Sequence, residues 1–374
     1  MLFILSMASG YGGAERSIEL ILRHLPAGVA VRVYAESEFH LDRLAQSGAL
    51  PGNAGLVRIS STRTIWARRI AALRLAFDCW RYPQATLLIN TAASALVAAM
   101  AAKFIPGLGR RCHIYVRDFL WTDLDYIFDR LRGAKVFVPS AVVAERLGYL
   151  TPFYLAPGGA FPVRIVPDMV EIPSGPVSYE GPLLHLATVN PWKGHVDLMM
   201  ALRMLKQKGQ AISAKSHGVI GNGALNTRLH QLVDRLEISD CYALCDYVAD
   251  PGELLRECGA VVVPSVSHSG GPETFGRAVI EAWAYRKPVV AYASGAVAQL
   301  VEDGVDGLLV PEGDIQALSD ALQRLSHSPE LSKRLGEAGH DKVRRLYEAS
   351  SVTRRLLEAL EVLEVMEDPE KVSA

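Results

Sequence analysis

The chain has 374 residues, half of them hydrophobic and 21% charged, with a formal net charge of −1. That length fits two domains, and the apolar fraction supports large cores, which excludes a disordered or collagen-like chain. Charge is uneven: residues 1–170 carry 19 Lys/Arg against 12 Asp/Glu, and the rest 20 against 28. A basic front half either meets an anionic surface or phosphorylated substrate, or simply attracts the acidic back half.

Short apolar runs predict strands at 2–6, 30–35, 56–59, 86–90, 113–116 and 135–138, with amphipathic segments such as 15–24 and 140–150 between them. In the second half strands are expected at 183–188, 212–219, 242–244, 260–263, 288–292 and 307–310. This alternation predicts an α/β chain of parallel sheets with helices on both faces. Residues 86–102 are mostly alanine and are broken by Asn90, Thr91 and Ser94, so they do not read as a membrane span. Residues 165–182 hold Pro167, Pro173, Pro176 and Pro182 with Gly175 and Gly181, a linker composition. The expected domains are therefore 1–175 and 176–350, with helices at 315–325, 329–347 and 351–366. The last segment, 351–374, is a candidate to pack back on the first domain. The start lacks a basic stretch, so 2–5 reads as a strand rather than a signal peptide. Cys79, Cys112, Cys241, Cys245 and Cys258 form no CxxC pair. They point to a reducing, cytoplasmic compartment and away from a zinc site.

Two doubly wound domains imply a cleft between them, with ligands outside the carboxyl ends of the strands. The first such loop is Ser9-Gly10-Tyr11-Gly12-Gly13-Ala14-Glu15-Arg16. Its glycines would let backbone amides approach an anion at a helix start. It lacks the last glycine of GxGxxG, and Glu36 is only a near miss for a ribose partner, so a tight strand–helix turn is the favoured reading. In 64–82, Trp66, Ile70, Leu73, Phe77 and Trp80 recur on one helical face, with Arg68, Arg69, Arg74 and Arg81 on the others. The stripe either packs on the sheet, the favoured reading, or lies on an anionic membrane that holds a lipid-linked acceptor. One stripe cannot serve both roles.

The sharpest segment is 264–288. A strand ends at Pro264-Ser265, a polar loop follows, and Pro272-Glu273-Thr274-Phe275-Gly276-Arg277 opens a helix that carries Glu281. At ~1.5 Å per residue the two carboxylates stand roughly 10 Å apart, with free amides of the helix start between them. That suits a nucleotide diphosphate sugar: one carboxylate for sugar hydroxyls, the amides for the diphosphate, the other carboxylate for the ribose. The alternative is Glu273 serving the helix dipole and Glu281 on a solvated face.

Glu273–x7–Glu281 resembles the motif of the family 4 retaining glycosyltransferases, which have the GT-B fold of two doubly wound Rossmann-like domains. The resemblance extends to 12–16, Val138-Pro139-Ser140, Val166-Pro167-Asp168, Trp192-Lys193-Gly194, Gly221-Asn222-Gly223, 288–291 and 304–311. It implies that Lys193 pairs with the donor diphosphate, that Glu273 orients the transferred sugar, and that Phe275 and Gly276 offer backbone amides. It further implies that Glu281 holds the ribose, that Asp246 and Tyr247 sit by the base, and that Gly12 and Gly13 approach the diphosphate from the other domain. Thr188, with Asn190 nearby, stands where the family usually has an arginine; Arg277 is a candidate substitute. Arg117-Asp118 stands where many members have a histidine and an aspartate. Arginine cannot be a general base, so Arg117 is expected either to bind an acidic acceptor group or to pair with Asp118 or Asp123. Asp123-Leu124-Asp125 spells a metal motif but reads as a helix start. His217, His230, His268 and His340 are too dispersed to suggest ligands.

The expected activity is metal-independent, retaining sugar transfer from a nucleotide diphosphate sugar to a glycan or lipid-linked acceptor. No cofactor and no nucleic-acid partner are expected. The alternatives are a nucleotide-sugar epimerase of the same fold and a degenerate sugar-nucleotide-binding subunit.

Overall fold

A computed structural model describes residues 1–8, 11–46, 48, 50–52, 54–60, 62–119, 121, 123–150, 162–210, 212–220, 223–269 and 271–362. These form two compact units. The first is Met1–Met169 with the helix that begins at Ala349; the second is Val170–Glu348.

In the first unit, β1 (Leu2–Ser6) leads into α1 (Gly13–Arg23), then β2 (Val31–Ala35), α2 (Glu38–Gln46), β3 (Gly55–Arg58) and α3 (Ile65–Arg81). β4 (Thr86–Ile89), α4 (Ala92–Ala101), β5 (Cys112–Tyr115), α5 (Leu124–Arg130), β6 (Lys135–Val138), α6 (Ala141–Leu150) and β7 (Val163–Ile165) follow. The strands pair in the order β3-β2-β1-β4-β5-β6-β7, parallel throughout. β1 is wholly buried, as a central strand covered on both faces must be. β7 is not among the strands the sequence predicts, and it ends at the first residue of the linker-like stretch. It is three residues long, between Pro162 and Pro167, too short to show a period of two.

The aromatic stripe of α3 corrects an expectation. Trp66, Ile70, Leu73, Phe77 and Trp80 are 54–69% exposed, while Ala71, Ala72, Leu75 and Cys79 on the opposite face join the core. Small side chains allow α3 to lie close against the alanine-rich α4. Thr64 caps the helix, its hydroxyl accepting from Ala67 N–H at 3.2 Å.

The second unit runs β8 (Leu183–Leu186), α7 (His195–Gln207), β9 (Ala214–Val219), α8 (Ala224–Arg235), β10 (Tyr242–Asp246), α9 (Gly252–Glu257) and β11 (Ala260–Val263). It continues with α10 (Arg277–Ala284), β12 (Val289–Tyr292), α11 (Val297–Leu300), β13 (Leu308–Val310), α12 (Ile315–Ser326) and α13 (Pro329–Leu346). Its sheet order, β10-β9-β8-β11-β12-β13, repeats the plan of the first. The last helix, α14 (Ala349–Ala359), belongs to the first unit. Its Val352, Leu356 and Leu357 share a buried cluster with Ile18 and Leu22 of α1.

The units divide at 169/170 and 348/349, where the sequence suggests 175 and 350, and the helix from Ala349 groups with the first unit. The stretch after Met169 is held to the second unit: Val170 N–H donates to the Tyr347 carbonyl at 3.0 Å and Arg256 Nη1 to the Ser174 carbonyl at 3.3 Å. Lys287, 1% exposed, donates to the carbonyls of Ser178, Arg256 and Cys258 at 2.5, 2.9 and 2.7 Å. It thereby fixes the proline-rich stretch to the second unit. Val170 bridges Glu348 on the same unit. The predicted helix over 351–366 starts two residues earlier, and residues 363–374 lie outside the described ones. No helix among the described residues is long and apolar enough to cross a membrane.

Candidate active site

In a sheet of this order the direction of winding reverses beside the first strand, and the crevice opens there. In the second unit that point lies between β8 and β11, and both chain segments leaving those strands carry predicted site residues. The segment after β8 contains a single turn, Pro191–Lys193, then Gly194 at φ 71°. A Cβ on Gly194 would stand 1.9 Å from the carbonyl oxygen of Pro264, at the end of β11. Only glycine permits this approach. Val266 N–H completes the junction by donating to the carbonyl of Trp192 at 2.8 Å.

Lys193 is thereby delivered to Glu273. Its Nζ lies 2.5 Å from Glu273 Oε1, with both side chains under one-fifth exposed. The same carboxylate oxygen accepts from Ser265 Oγ at 2.8 Å. The ammonium also stands 3.9 Å from the ring centroid of Trp192, a cation–π contact on its apolar side. Glu273 is held by its backbone: its carbonyl accepts from Ala296 N–H at 3.0 Å. A Cβ on Gly295 would collide with Pro272 and with that carbonyl, at 2.5 and 2.6 Å.

Gly276 caps α10 at φ 96°, where a Cβ would meet Val297 at 2.9 Å. Having no side chain, it leaves the first-turn N–H groups without a side-chain cap. Phe275 turns its ring inward, edge-on to Tyr347 at 5.6 Å, so only its backbone is left for the site. Arg277 Nε donates to Glu281 Oε1 at 2.9 Å, one turn along α10. Thr188 Oγ1 accepts from Asn190 Nδ2 at 2.9 Å on an exposed surface. Asp246 and Tyr247 end β10, the edge strand two places across from β8. A register shift at Asp246 and the 2.9 Å bond from Tyr247 N–H to the Val219 carbonyl set that end. Of the second glycine loop, Gly221 and Asn222 lie outside the described residues, and Gly223 starts α8.

Near Lys193, the rings of His185 and His195 pack with centroids 4.5 Å apart and planes tilted by 57°. His185 Nδ1 meets Ser216 Oγ at 3.0 Å, and Tyr242 donates to the same hydroxyl at 2.8 Å. Burial is the main cause that lowers both histidines, His195 to about 4, so the pair is neutral.

The first unit gathers a different cluster at its own reversal point. Arg117, 7% exposed, follows β5 and donates through Nε to Asn90 Oδ1 at 2.7 Å. Through Nη1 it pairs with Asp168 Oδ1, and its guanidinium lies 3.6 Å from the Tyr115 ring centroid. Asp168 Oδ1 also accepts from Ser17 Oγ at 2.8 Å, and Asn90 donates to the carbonyl of Ala14 at 3.2 Å. The expected carboxylate partners, Asp118 and Asp123, are thus replaced by Asp168, 51 residues away. Gly12 N–H donates to Glu15 Oε2 at 2.9 Å, closing the start of α1 on itself. Burial raises the Glu15 pKa, against the lowering by backbone hydrogen bonds. Ser9 and Gly10 lie outside the described residues. Glu36 accepts from Thr62 N–H at 2.8 Å. Asp123 and Asp125 flank the first residue of α5.

Ser265, Trp192, Gly194 and Gly295 were not singled out from the sequence as site residues. Pro264-Ser265 was noted as a strand end, and Trp192-Lys193-Gly194 only as a tripeptide. Its reason, the Pro264 carbonyl 70 residues on, is not local.

Residues 179–342 match the family model described as glycosyl transferases group 1. Among curated proteins, the chain is 28% identical over 170 residues to the putative glycosyltransferase EpsD of Bacillus subtilis, across 46% of this chain and 42% of that one. It is 31% identical over 186 residues to the amylovoran biosynthesis glycosyltransferase AmsK of Erwinia amylovora, across 48% and 44%. The chain spans less than half the length of these curated relatives. Among solved structures, Anabaena Alr3699/HepE in complex with UDP-glucose superposes with a TM-score of 0.78 at 19% identity, covering 96% of this chain and 99% of that one. The fold of two Rossmann-like units is therefore that of the GT-B glycosyltransferases, and the second unit carries the similarity to group 1.

Proposed function

We propose that the chain is a retaining glycosyltransferase of the family 4 type that moves a sugar from a nucleotide diphosphate sugar to an acceptor hydroxyl. The reading rests on one juxtaposition: Lys193, Glu273 and Ser265 grouped beside the uncapped start of α10, with Glu281 inside that helix. An ammonium has three donors. With one given to Glu273, Lys193 keeps others for a donor diphosphate, and the backbone amides at the start of α10, which has no side-chain cap, add to them. Glu281, oriented by Arg277, accepts from the ribose hydroxyls; Glu273 accepts from the sugar. Asp246 and Tyr247 border the base. The acceptor oxygen bonds to the anomeric carbon as the bond to the β-phosphate breaks, and the departing phosphate takes the hydroxyl proton. Metal-independent transfer is expected, with the N–H donors of Lys193 and of the helix start directed at the diphosphate in place of a metal ion. Arg117 acts as a positioning residue that holds the α1 start through Asn90 and Asp168. The glycosyltransferase names of EpsD and AmsK, and amylovoran biosynthesis in the latter, support a glycan, polysaccharide or glycolipid product; the UDP-glucose bound by HepE supports a UDP-sugar donor. The five free cysteines fit a cytoplasmic setting.

A second reading, a donor-binding subunit without turnover, draws on Thr188 and Asn190 bonded to each other where a cation is expected.

The test is a thermal-shift panel of nucleoside diphosphates and their sugars, on wild type and Glu281→Ala. Stabilisation grows as RT ln(1 + [L]/Kd). One nucleotide is expected to stabilise wild type, with affinity for the variant down at least about tenfold for the lost charged hydrogen bonds. With that donor, an EDTA-insensitive glycosylated product supports transfer. Donor binding with no product favours the second reading, and an altered nucleotide sugar favours an epimerase. Binding of none removes the proposal's support.

A further inference from the structure

We propose that α3 is a membrane-docking helix that lies flat on an anionic lipid bilayer. Its exposed stripe of Trp66, Ile70, Leu73, Phe77 and Trp80 is 54–69% exposed, a contiguous apolar face of the kind that marks an interaction surface. The face is not left over from core packing, because α3 already buries its opposite side. The charges around the stripe name the occupant. Residues 63–81 contain five arginines and a single acid, Asp78. Asp78 is turned inward, bonded to Arg32 at 2.6 Å and to the Tyr34 hydroxyl at 2.7 Å. At 100° per residue, Arg69 borders the stripe on one side and Arg74 and Arg81 on the other. The surrounding charge is therefore purely positive, and this segment holds more than half of the basic excess of residues 1–170.

Two observations favour lipid over a second copy of the chain. Self-association through this face would bring arginines against arginines, whereas anionic headgroups complement them. The stripe also has a tryptophan near each end, and Arg69 folds back over the Trp66 ring at 4.8 Å. An aromatic body with a cation reaching along it is the arrangement suited to a headgroup boundary.

The test uses the full chain and two vesicle types, phosphatidylcholine alone and an equal mixture of phosphatidylcholine and phosphatidylglycerol. Co-sedimentation and tryptophan emission are measured for wild type, Trp66→Ser/Phe77→Ser/Trp80→Ser, and Arg69→Gln/Arg74→Gln/Arg81→Gln. Because these side chains are exposed, both variants are expected to keep the wild-type Tm. Wild type should sediment with the mixed vesicles, with a blue shift and loss of binding at high salt, and at least about tenfold less with phosphatidylcholine alone. At about fivefold per arginine near an anionic surface, the basic variant should lose ~100-fold in partitioning, and the apolar variant should lose the blue shift. Equal binding of wild type to both vesicle types, or binding to neither, overturns the proposal; this comparison needs no variant. A concentration-dependent dimer abolished by the apolar variant, with no vesicle binding, assigns the face to a second copy.

Discussion

Replacing Gly194 by alanine tests the geometry that delivers Lys193. Two costs are expected. Gly194 sits at φ 71°, a left-handed conformation that costs an L-residue roughly 1–2 kcal/mol. Its Cβ would also stand 1.9 Å from the Pro264 carbonyl, so the β8 and β11 exits must separate. Forced overpacking of this kind costs about 1–3 kcal/mol. The total for Gly194→Ala is therefore about 2–5 kcal/mol. Gly209 supplies the control, since it has a similar φ of 74° but nothing within 4 Å of its built Cβ. Gly209→Ala should show only the conformational cost. Urea unfolding of the two variants gives the contact cost as their difference, and calorimetry with the cognate nucleoside diphosphate gives its functional consequence. Separation of the strand exits moves Lys193 away from Glu273, so Gly194→Ala is expected to weaken the nucleotide and Gly209→Ala to leave it unchanged. Equal destabilisation by the two substitutions would refute the claim that Pro264 dictates glycine at 194.

Two further outcomes follow from buried charge. The side chains of Arg117 and Asp168 are 7% and 13% exposed, so Asp168→Asn should cost about 3–5 kcal/mol by stranding a buried cation. The corresponding Glu38→Gln, at a pair with Arg58 that is two-thirds exposed, should leave unfolding unaltered; similar costs at both sites would deny Arg117 its anchoring role. Burial holds His40, His113 and His195 at about 4 and His185 well below its ordinary value. The unfolded chain takes protons as pH falls through about 6.5 and the folded chain does not, so this stability is complete above that pH and declines toward pH 4. At about pH 5 each of the first three should cost about 2 kcal/mol, opposed in part by Glu15 and Asp197, whose pKa values burial raises. Urea midpoints at about pH 7.5 and 5 read the sum; no decline would mean that these histidines are protonated in the fold.

The parallel architecture was legible because a strand buried on both faces is an unbroken apolar run: Ala260-Val261-Val262-Val263 cannot be much else. The Glu273–x7–Glu281 segment was legible as a unit because Glu273, Gly276, Arg277 and Glu281 lie within nine residues, so helix geometry alone relates them. The Arg117 cluster was not, because Asn90, Arg117 and Asp168 end different parts of the chain and meet only when β4 and β5 pair and the exit from β7 returns across them. The orientation of α3 misled for another reason. A helix apolar nearly all round has a readable period but no readable inside. The larger side chains drew the eye, while the alanines, Leu75 and Cys79 made the close contact.

The charge at the Lys193–Glu273 cluster bears on how much the missing arginine matters. Both nearby cations are already matched, Lys193 by Glu273 and Arg277 by Glu281. The cluster is therefore neutral, and a diphosphate entering it finds no uncompensated cation. Under the proposed reading, attraction must come from directed groups rather than net charge: the remaining N–H donors of Lys193 and the uncapped amides of α10. Both are fixed in advance, the first by Glu273, Ser265 and the Trp192 ring, the second by Gly276 at φ 96°. Glu273 then has two uses, as acceptor for the sugar and as the anchor that keeps the ammonium from swinging into solvent. A site built on directed donors depends more on geometry than on ionic strength. That is why the glycine at 194, which bears no charge and touches no substrate, is the position where the smallest change should have the largest effect.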